Sequence, residues 1–244
     1  MGRIVAIGGG EISKNETEKI DREIIKISNK INPNVLFIPT ASFDYKDYCK
    51  RFINLYQYKL GANVKTLCIS NNNITEAEII KIFEWADIIY VGGGDTVHML
   101  KIWAEKGIIK FLKKAYRDNK ILCGLSAGSI CWFKYGQSEI EVDKNKFEYI
   151  KIEGLNMING FHCPHFNENN RKKEFLKMIK DEENIVGIGI ENNCAIIFED
   201  NKYKVISSNE EGKAFKVYND GKDVVVREIK KEEEFREILE ILEV

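Results

Sequence analysis

Apolar residues in the first half of the chain fall in short runs that end at turn residues, and helix-spaced patterns follow each run. RIVAIGG is an unbroken apolar run of strand length, and NETEKIDREIIKISNKI then places Ile20, Ile24, Ile25 and Ile31 at helical spacing. NVLFIPTAS predicts a second strand, and DYKDYCKRFINLYQYKLG a helix that stops at Gly61. NVKTLCIS and TEAEIIKIFEWA repeat the unit, with Thr75 and Glu78 spaced as a capping box. DIIYVGGG, the helical DTVHMLKIWAEKG and IIKFLKKAYRDN, and KILCGLS complete the series. Apolar strands separated by helices at this rhythm predict an α/β fold, with a mostly parallel central sheet flanked by helices.

The pattern changes after Phe133. Residues 134–160 are polar and aperiodic, which predicts a long loop or a short irregular insertion. NRKKEFLKMIKDE predicts a helix leading into IVGIGIEN. CAIIFED, KYKVIS, KAFKVYN and KDVVVREI predict a C-terminal strand meander, closed by a helix in EEEFREILEIL. With no internal repeat and no linker-like stretch, residues 1–244 are expected to form a single domain.

Charge narrows the partners. Lys plus Arg number 37 and Asp plus Glu 38, interspersed along the chain, so no field favours nucleic acid or an anionic membrane. The apolar run at the N-terminus breaks at Gly8-Gly9-Gly10, too short for a signal segment or a membrane span. Six scattered cysteines without a C-x-x-C pair imply neither a disulfide framework nor a metal site, and a reduced, cytoplasmic setting is expected.

Candidate chemistry gathers at the strand ends, where open α/β sheets place their ligands. IGGGEI, FIPTAS, VGGGDT and GLSAG each close a predicted strand, and GIGIENN closes a late one. Neither glycine triplet supplies the third glycine of a dinucleotide fingerprint, and no Walker lysine follows. IGGG therefore reads as a tight turn. VGGGDT can aim backbone N–H groups at a developing oxyanion from a helix N-terminus.

GLSAG fits the nucleophile-elbow pattern, with Ser126 pinched between glycines and the Ala127 N–H beside it. Only three histidines could serve as its base. His98 lies one turn into a helix, whereas His162 and His165 share NGFHCPHF, where Pro164 stiffens the backbone beside His165. H-C-P-H has no standard metal spacing. For the group that orients the histidine, Glu191 follows the apolar GIGI at a buried strand end, while Glu168 lies in polar NENN. The expected constellation is Ser126, His165 and Glu191.

Taken in order, FIPTAS, VGGGDT, GLSAG, CPHF and GIGIENN resemble the landmarks of the peptidase E family of serine peptidases, family S51, related to cyanophycinase. The resemblance runs from about residue 34 to about 198. It implies a fold similar to class I glutamine amidotransferases, flavodoxin-like in its sheet. It also implies Ser126 as nucleophile, His165 as base, Glu191 as orienting acid, and oxyanion donors from Gly93 or Gly94 and from Ala127. Asp95, where the family often carries Asn, and Arg171 are the expected substrate-binding residues. The family's aspartyl specificity depends on basic residues beyond the histidine loop, and here only Arg171, Lys172 and Lys173 are near.

The activity expected is hydrolysis of small peptides through an acyl-enzyme, dipeptidase-like, with no cofactor and no metal. The alternative is a non-catalytic amidotransferase-like protein that binds a small molecule in the same cleft. Nothing in the sequence chooses between monomer and homodimer.

Overall fold

The computed structural model describes residues 2–70, 72–144 and 146–244. In chain order the elements are β1 (Arg3–Ile7), α1 (Glu18–Ile27), β2 (Asn34–Ile38), α2 (Lys46–Ile53), β3 (Asn63–Thr66), α3 (Glu76–Trp85), β4 (Ile88–Val91), α4 (Thr96–Glu105), α5 (Ile108–Arg117), β5 (Ile121–Leu125) and α6 (Ala127–Ile130). There follow β6 (Phe133–Asp143), β7 (Lys146–Glu153), β8 (Ile158–Cys163), α7 (Asn169–Lys180), β9 (Gly187–Ile190), β10 (Cys194–Glu199), β11 (Lys202–Ser207), β12 (Ala214–Asn219), β13 (Val224–Ile229), β14 (Arg236–Glu237) and α8 (Leu239–Leu242).

Strands β14-β11-β10-β1-β5-β4-β2-β3 form one eight-stranded sheet in that order. The stretch from β1 to β3 is parallel, and β10, β11 and β14 add antiparallel at one edge. Alternation along these strands explains the unbroken apolar runs. Ile4, Ala6, Leu36, Ile38, Ile89 and Val91 enter one core with Phe83, Met99, Trp103 and Leu112 from α3, α4 and α5. Val5, Ile7, Val35, Phe37 and Tyr90 enter another with Ile20, Ile24 and Phe52 from α1 and α2. Both faces are covered, so neither set of alternate residues can be polar.

Local signals set several boundaries. The Thr75–Glu78 capping box is complete in both directions at the start of α3. Beyond α2 the chain continues as a π-helical turn over Asn54–Lys59 and stops at Gly61, whose φ of +77° suits glycine.

Residues 134–160 are not a loop. Their described residues form most of the β6–β7 hairpin and the first half of β8, within a second, six-stranded sheet ordered β13-β12-β9-β8-β6-β7. β6, β8 and β9 run parallel to one another. Much of β6 and β7 is exposed, so their faces lack the apolar alternation that marks a strand in sequence. The C-terminal meander is likewise divided: β10 and β11 join the first sheet, β12 and β13 the second. In place of a closing helix over EEEFREILEIL stand only β14 and the single turn α8. Phe161, Phe166, Phe175, Ile179 and Val217 seat α7 on the second sheet.

Candidate active site

The ends of β1, β5, β8 and β9 converge where the two sheets meet. Ser126 follows β5, and its backbone (φ 55°, ψ −113°) lies in a region that costs a non-glycine residue roughly 1–3 kcal/mol. Its N–H donates to Ile7 C=O at 3.0 Å, and its C=O accepts from Ser129 and Ile130 N–H, so the turn is held at both ends. The flanking glycines allow it. A Cβ on Gly124 would collide with the Gly128 carbonyl, and one on Gly128 with the Val91 carbonyl.

His165 reaches the same point from the loop after β8. Its backbone is also left-handed (φ 51°) and is tied to β1 by its N–H donating to Gly8 C=O at 3.0 Å. The imidazole Nε2 lies 2.8 Å from Ser126 Oγ. Nδ1 lies 2.6 Å from Asn192 Oδ1 and 3.7 Å from Glu168 Oε1. Burial above all, and then the Arg171 guanidinium, hold the imidazole below its ordinary pKa; Asn192, Glu168 and Glu139 pull the other way. The ring is therefore held toward its neutral form.

Glu191 is not beside His165. It extends the β9–β12 ladder, where its N–H donates to Lys213 C=O at 2.9 Å and its Oε2 accepts from Lys213 N–H at 3.0 Å. The next residue, Asn192, lies in the turn that follows β9, and its side chain meets the histidine instead. Glu191 thus replaces a ladder partner for Lys213 rather than meeting the imidazole.

His162 has a different environment from His165. It is fully buried, its Nδ1–H donates to Ile188 C=O at 2.9 Å, and its Nε2 accepts from Ser129 Oγ at 2.8 Å. Burial lowers its pKa to about 3. It stacks on Phe133, with ring centroids 4.6 Å apart, and serves the core beneath the elbow. Among the described residues no three His, Cys, Asp or Glu side chains are grouped as a metal ion would need.

The glycine turn after β4 packs on the elbow: a Cβ on Gly93 would stand 3.4 Å from Ser126 Cβ. Gly93 N–H is directed to Tyr48 Oη at 3.3 Å, whereas the Gly94 and Ala127 N–H groups find no acceptor among the described residues. Ala127 opens α6, so its N–H has no intrahelical partner. Asp95 caps α4, its Oδ1 accepting from His98 N–H at 2.9 Å.

Ser126 and His165 line two cavities. One, of about 330 Å³, is lined by Ser42, Tyr45, Tyr48 and Arg51. The other, of about 240 Å³, is lined by Thr96, Ser138, Glu139, Glu168 and Arg171. Arg171 is only 6 % exposed. It lies over the Tyr149 ring at 4.9 Å, with Nε donating to Glu168 at 3.4 Å and Nη2 3.6 Å from Glu139.

Two participants give little sign in the sequence. Asn192 looks like any turn residue after a strand. Gly9 looks like part of a tight turn, yet a Cβ there would collide with Asn192 Oδ1 and His165 Nδ1. The first glycine triplet thus makes room for the histidine.

The fold is α/β, with a serine on a strained strand–helix turn and an imidazole against its hydroxyl. The profile of peptidase family S51 matches residues 4–206, and the chain belongs to that family of peptidases. It is 29% identical over 225 residues to the uncharacterized peptidase YgaJ of Bacillus subtilis, covering 89% of this chain and 92% of that one. The uncharacterized peptidase Lin0382 of Listeria innocua is 28% identical over 182 residues, 71% of this chain and 84% of that one. The crystal structure of a peptidase from an acI-B1 Actinobacterium superposes with a TM-score of 0.71 over 97% of both chains, at 19% identity, and so shares the fold.

Proposed function

We propose that this peptidase is of the serine type and hydrolyses small peptides, dipeptides among them, through an acyl-enzyme. The observation that carries the reading is the 2.8 Å contact between Ser126 Oγ and His165 Nε2 on a strained elbow. In this mechanism His165 takes the hydroxyl proton as Ser126 Oγ attacks the scissile carbonyl. The unengaged N–H groups of Gly94 and Ala127 stabilise the oxyanion. The imidazolium passes its proton to the departing amine, and His165 then activates the water that releases the acyl group. Gly93 N–H, directed at Tyr48, is the weaker oxyanion donor. A fluorophosphonate should label Ser126 stoichiometrically, and a folded protein that resists it is instead a small-molecule-binding relative.

The 240 Å³ cavity suits an N-terminal aspartyl residue. Arg171 is nearly enclosed, yet among the described residues only its Nε forms a hydrogen bond, so the Nη fork can take a substrate carboxylate bidentately. Glu139 and Glu168 leave the lining with one net negative charge against that single arginine, a complement for the substrate's free α-ammonium. kcat/KM for Asp-Leu should exceed that for Ala-Leu, and Arg171→Met should reduce the preference by about 2–3 kcal/mol. A wild type that prefers Ala-Leu, or a mutant that keeps its Asp preference, removes Arg171 from substrate recognition.

A further inference from the structure

A base that accepts a proton at Nε2 must carry its own proton at Nδ1, and that N–H needs an acceptor to hold the ring in place. Asn192 Oδ1, 2.6 Å from Nδ1, is within hydrogen-bond range, whereas Glu168 Oε1 at 3.7 Å is beyond it. The amide must present its oxygen here, since its NH₂ group would set donor against donor. The neighbouring backbone holds Asn192 in place: its N–H donates to Asn167 Oδ1 at 3.0 Å. The missing side chain of Gly9 lets the amide and the ring meet.

Resting on the reading of Ser126 and His165 as nucleophile and base, we propose that Asn192 is the positioning residue that holds His165 in its Nδ1–H tautomer. A neutral amide thus stands where Ser–His–acid triads have a carboxylate, and Glu168 supplies the negative charge beside the imidazolium from outside bonding range. The charged and titratable groups around the ring are Arg171 and Glu168 at the start of α7, Glu139 on β6 and His162 on β8. The imidazolium that forms during acylation is therefore balanced by carboxylates near the ring, both of which also pair with Arg171.

Nitrogen-15 NMR titration of the histidines tests this without turnover, and His162, which titrates only near pH 3, provides an internal reference. Wild type should show His165 as the Nδ1–H tautomer. Asn192→Asp, nearly isosteric, should raise the His165 midpoint by about one unit or more, because a carboxylate would then touch the ring. Asn192→Ala should mix the two tautomers and slow fluorophosphonate acylation by roughly 10- to 100-fold, while Asn192→Asp should retain the rate with its acid limb moved to higher pH. Glu168→Gln should lower the midpoint, and Glu191→Gln should change neither tautomer nor midpoint. An Asn192→Ala protein with the wild-type tautomer and rate overturns the proposal, as does a His165 midpoint that follows Glu191. A wild type that does not react with the fluorophosphonate overturns the serine mechanism, while the tautomer measurements still decide the role of Asn192.

Discussion

Replacing Ser126 with alanine is expected to lower kcat/KM for peptide hydrolysis by about 10⁴-fold or more, the usual loss when a nucleophile that works with a base is removed. The fold should survive, because Ser126 lines the cavities and, among the described residues, the only hydrogen bond of its side chain is to His165. Ser126→Gly separates function from stability. It should be equally inactive, yet relief of the φ 55°, ψ −113° backbone offsets the entropy glycine adds to the unfolded chain, for a net gain of about 1 kcal/mol. Steady-state kinetics and urea unfolding of the two variants measure both effects. Near-normal activity in folded Ser126→Ala would end the serine mechanism.

The two histidines should separate as sharply. His165→Gln should lose acylation by a factor on the order of 10⁴, because glutamine offers Ser126 no basic nitrogen. His162→Gln should keep acylation within about tenfold but destabilise the protein by about 1–3 kcal/mol, through mismatched hydrogen bonds to Ser129 and Ile188. Single-turnover acylation and denaturant unfolding distinguish the two. The acid limb of kcat/KM should lie below pH 6.5, since burial and Arg171 keep His165 unprotonated into mildly acidic solution. An inactive His162→Gln beside an active His165→Gln reverses the assignment.

The features legible in the sequence are those made by neighbours along the chain. The parallel half of the first sheet, the Thr75–Glu78 cap and the Gly61 stop follow from periodicity and backbone preference within a dozen residues. GLSAG is legible for the same reason, since strand, turn, serine and the N–H of Ala127 occupy consecutive positions. Asp95 is ambiguous in sequence, because the residue that follows a glycine turn is also the N-cap of α4, and helix capping takes its carboxylate.

Contacts between distant segments were decided only by the tertiary structure. Glu191 and Asn192 are adjacent, and which of them faces His165 depends on the pairing of β9 with β12, set more than twenty residues downstream. Glu191 continues that pairing while Asn192 enters the turn that follows, and polar residues at a strand end carry no apolar pattern to show where the pairing stops. Gly9 meets His165 and Asn192 across more than 150 residues, so its local sequence says only that a turn is present. The β6–β7 hairpin leaves no pattern in the sequence for a related reason. Its exposed faces bury too little to require alternation, although β6 and β7 pair with each other along most of their length and β6 also joins β8.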